Sequence, residues 1–261
     1  MDIQQQKSWK ILLIGDHCVD IYHYGVCERL SPEGPVPILK EIRVEKKMGM
    51  SSNVRMNLRN FGIEVVHIHN GDKIEKHRIV DSNYNHHLLR YDVGEDTLLR
   101  EIKLSRLDNF KNLDAVVISD YNKGFLRHNS IKKICEKFHE IPVFVDTKKS
   151  DLTCFEKCII KINKKEFESI KKLPKKSEII ITLGDKGAMY QHTIYPTIKT
   201  EVFDVCGAGD VFLSGLVYGF LDTKNLEKAI EIANICASFS VGKMGTYVVT
   251  QEDLKNIGVI N

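Results

Sequence analysis

The segment Lys10-Ile-Leu-Leu-Ile14, followed directly by Gly15-Asp16, is a short and continuous aliphatic run. Runs of this kind form strands that are buried on both faces of a parallel sheet. The same pattern recurs in Ala115-Val-Val-Ile-Ser119, Val143-Phe-Val-Asp146 and Glu178-Ile-Ile-Ile-Thr182. Because stretches with helical periodicity separate these runs, the sequence predicts an α/β fold with a mostly parallel sheet and covering helices.

Three stretches between the runs predict helices. Residues 130–139 carry apolar side chains at a period of 3.6, which indicates one buried face. Residues 225–241 are broadly apolar and predict a well-buried helix. A third helix is predicted over residues 53–61, with Gly62 as its C-terminal cap.

Polar residues stand where the predicted strands end, at Asp16, Asp120, Asp146 and Thr182. In open α/β sheets, ligands bind at the carboxyl ends of the strands. These four residues are therefore candidates for a binding site. The alternative for each of them is a structural role, as a helix cap or in a turn.

A different pattern covers residues 22–48, where prolines at three positions exclude a helix and favour edge strands: Pro32, Pro35 and Pro37. We interpret this segment as a small β-flap that projects from the sheet. A second strand-like pair within residues 77–91 is expected to join it. Flaps on a rigid sheet commonly cover active sites.

Composition limits the class of protein. The chain has 261 residues, of which 43% are hydrophobic and 28% are charged, and this predicts a single globular domain spanning residues 1–261. The formal net charge of +3 is too small to indicate a nucleic-acid partner. No apolar run approaches the ~18 residues that a membrane span needs.

The cysteines and the N-terminus bear on the cellular compartment of the protein. Seven cysteines are present, an odd number, and none form a Cys-x-x-Cys pair, so we expect reduced thiols rather than a disulfide framework. Residues 1–10 are polar and lack the apolar core of a signal peptide. Both observations predict a cytoplasmic protein.

The segment that carries chemistry is Asp204-Val-Cys-Gly-Ala-Gly-Asp-Val-Phe-Leu-Ser-Gly-Leu216. Its glycine-rich turn, Gly207-Ala208-Gly209, leads into a predicted helix. The first N–H groups of a helix have no internal partner and the dipole is positive there, so this turn suits a phosphate. Asp210, at the helix start, is placed to take a proton from an attacking hydroxyl, which phosphoryl transfer to an alcohol requires.

The alternative interpretation of this segment is structural. Asp210 would then cap the helix, and the two glycines would only form a tight turn. The segment is not a P-loop, because no Gly-Lys-Ser/Thr follows it, and it is not the dinucleotide-binding Gly-x-Gly-x-x-Gly after the first strand. The glycine motif alone therefore leaves both interpretations open.

Several motifs in order nevertheless make the chain similar to the PfkB, or ribokinase-like, carbohydrate kinases. Within that family it most resembles the kinase domain of bacterial heptose-phosphate kinase/adenylyltransferases. The resemblance runs from about residue 10 to the end and is carried by Asp204–Asp210 together with Gly15–Asp20, Arg29–Pro37, Gly49–Asn53, Ser119–Gly124, Val145–Lys148, Asn163–Glu166, Thr182–Gly184 and Val241–Thr246. It implies a three-layer α/β/α sandwich with a β-flap as a lid.

The resemblance also implies roles for residues on the acceptor side. Asp210 matches the catalytic base, and Gly207, Ala208 and Gly209 match the anion hole. The residues that match the sugar-binding positions are Asp20, Asn53, Gly49, Asp120 and Lys123. Lys123 is expected to meet a phosphate of the substrate, with a plain surface lysine as the alternative.

On the nucleotide side, the resemblance implies ATP and Mg²⁺. Asn163 and Glu166 match an Asn-x-x-Glu motif in which Glu166 holds Mg²⁺ through water; the alternative is a pair that caps a helix. Thr182 and Gly184 match positions beside the phosphates and ribose. The adenine pocket is expected to be lined by Asn234, Ala237 and Gly245.

Four departures from the family pattern limit these expectations, and the first is that no His-x-Gly-His of an adenylyltransferase occurs. Met50 stands where a second glycine is usual, Cys206 replaces a threonine, and an α/β unit is missing after His69. We expect an ATP-dependent kinase acting on a sugar or sugar phosphate, with a heptose phosphate as the leading acceptor and another hexose derivative or a nucleoside as alternatives. The alternative is a degenerate kinase fold that binds sugar or nucleotide as a regulatory protein. Exposed edge strands in the lid also predict a homodimer.

Overall fold

The computed structural model of the protein describes residues 8–260, except residues 72, 85, 96–98 and 244. Within this part, the chain folds into a main sheet of eight strands with helices on both faces, and a smaller sheet of four strands. The predicted three-layer α/β/α architecture with a β-flap is confirmed. The four aliphatic runs of the sequence all form strands of the main sheet.

The main sheet has the order β12-β11-β10-β9-β8-β7-β1-β4. From β10 to β4, neighbouring strands are parallel, and β11 and β12 complete one edge in antiparallel pairing. The strands are β1 (Lys10–Gly15), β4 (Glu64–His69), β7 (Ala115–Asp120), β8 (Val143–Thr147), β9 (Ile159–Asn163), β10 (Glu178–Thr182), β11 (Ala188–Tyr190) and β12 (Thr193–Tyr195).

Alternation along the strands divides the core into two layers. In β1, Leu12 and Ile14 pack into one layer, whereas Ile11 and Leu13 pack into the other. The first layer contains α2 (His128–Lys137), and the second contains α1 (Ser51–Asn60), α4 (Ala208–Thr223), α5 (Leu226–Val241) and α6 (Gln251–Asn256). The short α3 (Lys164–Glu168) follows β9 directly.

Helix α4 is held against α5 at a close distance. A Cβ atom placed on Gly219 would lie 2.8 Å from the Cα of Ala229, so only glycine permits this approach. The predicted helix of residues 225–241 begins one residue later, because Asn225 is its N-terminal cap and accepts a hydrogen bond from the N–H of Lys228. Among the described residues, no helix is long and apolar enough to cross a membrane.

The second sheet, which we call the lid, has the order β3-β2-β5-β6. Its strands are β2 (His17–Leu30), β3 (Pro37–Met50), β5 (Glu75–Asp81) and β6 (His86–Val93). The prolines act as predicted, since Pro32 and Pro35 lie in the connection and Pro37 begins an edge strand. The first two lid strands extend beyond the predicted residues 22–48, because β2 begins at His17, directly after β1 of the main sheet, and β3 ends at Met50.

The connection after β4 is short, as the sequence predicts. Residues 70–74 lead directly from His69, at the edge of the main sheet, into β5 of the lid. In the described portion of this connection there is neither a helix nor a strand. Short chain connections from β1 to β2 and from β4 to β5 therefore join the main sheet to the lid.

Candidate active site

The start of α4 forms a cradle of backbone atoms. Gly207 precedes the helix with φ of +78°, a conformation that side chains other than glycine rarely adopt. A Cβ atom at this position would lie 2.9 Å from Nδ2 of Asn53 and 3.1 Å from Cγ2 of Thr246. Glycine at this position therefore lets Asn53 and Thr246 pack directly against the start of α4, where the first N–H groups of the helix suit an anion.

Asp210 lies in the first turn of α4 and is only 4% exposed. Its Oδ2 accepts a hydrogen bond of 2.9 Å from Nδ2 of Asn53, and its Oδ1 accepts one of 3.1 Å from the hydroxyl of Tyr121. Burial raises the pKa of Asp210 to about 6, and the charge of Asp146 also raises it, against the hydrogen bond from Asn53 and the charge of Lys161. The carboxylate is thus ionised at neutral pH, yet more basic than an ordinary aspartate.

A polar cavity of about 360 Å³ opens in front of Asp210. Its walls come from the ends of β8, β9 and β10 and from the cradle, and they consist of Tyr121, Asp146, Lys148, Lys161, Asn163, Thr182, Gly184, Val205, Gly207, Gly209 and Asp210. Two lysines and the start of a helix offer groups that can bind phosphate, whereas Asp146 and Asp210 bring two carboxylates to the same wall.

A second, mostly apolar cavity of about 440 Å³ adjoins the first. The two share Thr182, Gly184, Val205 and Gly209. The apolar cavity extends over α4 and α5 and is lined by Gly187, Thr197, Ile198, Lys199, Thr200, Val202, Ala208, Phe212, Asn234, Ala237, Ser238 and Val241, together with Asp185. An apolar cavity joined to a polar one at the start of a helix can hold a ligand that combines an apolar ring system with phosphate groups.

The residues predicted for the nucleotide divide between these cavities. Thr182 and Gly184 lie where the cavities meet, whereas Asn234 and Ala237 line the apolar one. Gly245 lies elsewhere, against the lid: a Cβ atom there would lie 3.2 Å from the hydroxyl of Tyr22. Gly245, expected at the adenine pocket, thus lies against Tyr22 of the lid and is not among the residues that line the apolar cavity.

Asn163 and Glu166 form a capping box at the start of α3. Oδ1 of Asn163 accepts a hydrogen bond of 2.8 Å from the N–H of Glu166, and Oε2 of Glu166 accepts one of 2.9 Å from the N–H of Asn163. The other carboxylate oxygen of Glu166 pairs with Lys148, which lines the polar cavity. This geometry is compatible with both interpretations of the motif, as a helix cap and as part of a nucleotide site, because the capping pair lies at the margin of the cavity.

Asp20, which the resemblance assigns to sugar binding, lies on β2 of the lid and is 4% exposed. Its Oδ1 pairs with Arg78 of β5, and its Oδ2 accepts a hydrogen bond of 3.4 Å from the hydroxyl of Thr246. A Cβ atom on Gly49 would lie 2.3 Å from Oδ2 of Asp20, so the carboxylate depends on glycine at this position. Because Thr246 also contacts Gly207, the predicted sugar-binding carboxylate lies next to the cradle.

Met50, which stands where the family pattern has a second glycine, has an unusual backbone conformation and a buried side chain. Its φ is +54° and its ψ is −134°, a backbone conformation that favours glycine. Its side chain is 4% exposed and packs in the core layer that contains Leu12 and Ile14. The methionine side chain therefore packs in the protein interior, at the expense of backbone strain.

Asp120 and Lys123, two residues predicted to bind the sugar, are each paired with other side chains of the protein. Oδ2 of Asp120 accepts a hydrogen bond of 2.7 Å from Thr147 and lies 3.3 Å from Nζ of Lys149, so this buried carboxylate is engaged within the protein. Nζ of Lys123 lies 3.0 Å from Oε2 of Glu95. Tyr121, between them in sequence, is the residue of this segment that contacts Asp210.

Four site residues were not singled out from the sequence: Arg78, Tyr121, Lys148 and Lys161. Tyr121 and Lys148 lie inside the motifs Ser119–Gly124 and Val145–Lys148, yet no pattern distinguished them from their neighbours. Lys161 offered a signal, since alternation along β9 places it on the same face as Asn163. Arg78 offered none, because its partner Asp20 is 58 residues away.

Comparison with known proteins agrees with this arrangement. Residues 49–253 match the family described as pfkB family carbohydrate kinase. The bifunctional protein HldE of Pasteurella multocida is 30% identical over 306 aligned positions, which cover 96% of this chain and 63% of the relative. HldE of Campylobacter jejuni subsp. doylei is 32% identical over 308 positions, covering 99% and 66%. The chain thus spans less than two thirds of the length of these relatives.

Solved structures share the fold at low sequence identity. Phosphofructokinase-2 of Escherichia coli has a TM-score of 0.73 at 13% identity, with 95% of this chain and 97% of the other covered. Ribokinase of Arabidopsis thaliana, solved in complex with ribose and ATP, has a TM-score of 0.69 at 14% identity, with 96% and 99% covered. The family match extends over most of the chain, and the chain belongs to the pfkB family of carbohydrate kinases.

Proposed function

We propose that this protein is an ATP-dependent kinase that transfers the γ-phosphoryl group of ATP to a hydroxyl of a sugar or sugar phosphate. The observation that carries the proposal is the position of Asp210. Its carboxylate stands at the mouth of the α4 cradle, where the polar cavity joins the side of Asp20 and Thr246. A base and an anion cradle on one helical turn are the two groups that phosphoryl transfer needs.

In the proposed reaction, the adenine and ribose occupy the apolar cavity and the phosphates occupy the polar one. The acceptor hydroxyl gives its proton to Asp210, and its oxygen forms a bond to the γ-phosphorus as the bond to the β-phosphate oxygen breaks. The products are ADP and the phosphorylated acceptor. The N–H groups at Gly207, Ala208 and Gly209 stabilise the charge on the transferring group, that of Ala208 after leaving its 3.3 Å hydrogen bond to the main-chain oxygen of Val205.

The polar cavity also fits Mg²⁺. Oδ1 of Asp146 is buried in its wall and has no hydrogen-bond partner among the described residues. Mg²⁺ usually binds through one or two carboxylates, water and substrate phosphates. In the described part of the chain, no three His, Cys, Asp or Glu side chains form a metal cluster, so phosphate and water would supply the other ligands. Bound there, the ion would neutralise phosphate charge, and Asp146 and Glu166 would hold it, Glu166 through water.

The charge around the acceptor side supports a phosphorylated sugar. Lys76 and Lys123 both pair with the single carboxylate of Glu95, and Lys76 also lies 5.8 Å from the ring centroid of Tyr121. One positive charge of this group is thus not balanced within it, which suits a substrate phosphate. The resemblance to heptose-phosphate kinases makes a heptose phosphate the leading acceptor, with Asp20 accepting hydrogen bonds from its hydroxyls.

We also propose that two copies associate through the outer face of the lid. The strand register places five exposed apolar side chains on that face: Val44, Met48, Leu89, Tyr91 and Val93. Each is between 43% and 58% exposed. An apolar face of this kind on a monomer is a typical protein–protein surface, and a second copy of the same sheet would match its shape.

A screen for ATP consumption over sugars and sugar phosphates tests the catalytic proposal, with the Asp210→Asn variant as a control. We expect turnover with at least one sugar phosphate for the wild type and none above background for the variant. Binding of nucleotide or sugar without turnover across a broad panel would instead support the degenerate, regulatory kinase fold.

A further inference from the structure

A buried lysine stands directly beside the cradle. Lys161 is 3% exposed, and its Nζ lies 2.7 Å from Oδ2 of Asp146. A Cβ atom placed on Gly209 would lie only 2.9 Å from this Nζ. The ammonium group therefore fills the space over Gly209, at the point where the helix N–H groups of α4 face the polar cavity.

The strands determine this position. Ile160 and Ile162 of β9 pack into the core layer of α2, so Lys161 and Asn163 are on the opposite face, which α4 covers. In β8, Val143 and Val145 likewise pack with α2. Asp146 therefore shares the face of Lys161, and both side chains extend to the start of α4.

Fold stability alone does not explain this ion pair. Burying two charges is costly, and an apolar pair of similar volume is often as stable. The pair is also incompletely satisfied, because Oδ1 of Asp146 has no hydrogen-bond partner in the described part of the chain. A lysine whose one charged partner is a half-satisfied carboxylate can move to a stronger anion when one enters the cavity.

We propose that Lys161 is a catalytic residue that binds the transferring γ-phosphoryl group together with the N–H groups of the cradle. This inference rests on the proposed function and adds a residue to it. With the cavity occupied by ATP, the ammonium group turns from Asp146 to the γ-phosphate oxygens. Its charge then opposes the negative charge that spreads over those oxygens in the transition state.

The proposal predicts that Lys161 senses the γ-phosphate and not the rest of the nucleotide. We would measure by calorimetry the affinity of wild type and Lys161→Met for ADP and for AMP-PNP, a non-hydrolysable ATP analogue, both with Mg²⁺. The variant should bind AMP-PNP about tenfold or more weakly, and ADP within about twofold of wild type. Lys161→Arg should recover part of the AMP-PNP affinity.

Lys164→Met is the matched control, since its Nζ is exposed on α3 and pairs with Glu168. It should leave both affinities unchanged. If Lys161→Met fails to fold because Asp146 is left buried without its partner, the double variant Asp146→Asn/Lys161→Met removes both charges. Because Asp146 is also proposed to hold Mg²⁺, the double variant is compared with Asp146→Asn alone, and the same selective loss of AMP-PNP affinity is expected.

Two results would overturn the inference while the proposed function stands. Equal weakening of ADP and AMP-PNP would show a merely structural lysine, and unchanged affinity for AMP-PNP would show a lysine that stays with Asp146. If wild type binds neither nucleotide, the proposed function fails and the inference fails with it. Turnover gives a further readout, since Lys161→Met should lower kcat at saturating ATP by about 10²-fold.

Discussion

Nδ2 of Asn53 donates a hydrogen bond of 2.9 Å to Oδ2 of Asp210, although 157 residues separate the two in the chain. This contact joins α1 to α4 and orients the proposed base towards the acceptor side. It also favours the ionised form of Asp210, which is the form that accepts a proton. Asn53 therefore has a second role beside the sugar-binding role that the resemblance implies.

Replacing Asn53 by alanine should shift the pH dependence of turnover. The pKa of Asp210 is raised to about 6, chiefly by burial, and turnover should fall as the pH decreases through this value. Loss of the donor raises the pKa further, so the acid limb of kcat/KM should move up by about one unit or less. Ser214→Ala is the control, because the hydroxyl of Ser214 donates to the main-chain oxygens of Asp210 and Val54 rather than to the carboxylate. A shift of equal size in both variants would contradict this role.

Asp210→Asn should stabilise the fold at alkaline pH. A carboxylate with a raised pKa destabilises the folded state above that pKa, and the cost disappears below the ordinary value of 3.8. A shift of about two units corresponds to about 3 kcal/mol. In urea unfolding, the variant should exceed wild type by about 1–3 kcal/mol at pH 8, and by less at pH 5. A less stable variant at pH 8 would exclude this explanation.

Loss of one member of the buried Asp20–Arg78 ion pair should destabilise the fold more than loss of both. Both side chains are almost fully buried, so Arg78→Met leaves the carboxylate of Asp20 without its charged partner. We expect a loss of about 3–5 kcal/mol in the free energy of unfolding, measured with urea. The double variant Asp20→Asn/Arg78→Met should recover most of this loss. A double variant no more stable than Arg78→Met would disprove the coupling.

A charge on the outer face of the lid should prevent dimer formation. Leu89 is 58% exposed there, and a glutamate would be desolvated in the proposed interface. We expect a dimer for wild type and a monomer for Leu89→Glu in sedimentation velocity. Ile194→Glu, at the far edge of the main sheet on β12 and 53% exposed, is the control and should stay dimeric. A monomeric wild type would reject the proposed dimer.

Much of the fold could be predicted because aliphatic runs are local signals. The runs that begin at Lys10 and Ala115 form neighbouring parallel strands, and alternation along them distributes side chains between the two core layers. The ends of the lid strands were harder to predict from the sequence. Strand β2 begins at His17 because it continues from the end of β1, and its polar residues mask the strand pattern.

The site was only partly predictable, because its contacts join distant parts of the chain. Asp210 and the cradle form a contiguous motif, so their proximity followed from the sequence. Tyr121 and Arg78 reach the site through tertiary contacts with Asp210 and Asp20, for which no local pattern exists. Gly245 likewise lies against Tyr22 of the lid, a tertiary contact for which the sequence offered no local pattern.

The central claim is that Asp210 is the base for phosphoryl transfer to an acceptor hydroxyl. Its most direct test is the rate at which phosphate passes from ATP to a sugar phosphate, followed by ³¹P NMR for wild type and Asp210→Asn. Nucleotide affinity is measured alongside as a control for folding. We predict at least a ~10²-fold loss of turnover in the variant with unchanged affinity for ADP. Near-normal turnover of Asp210→Asn would contradict the account.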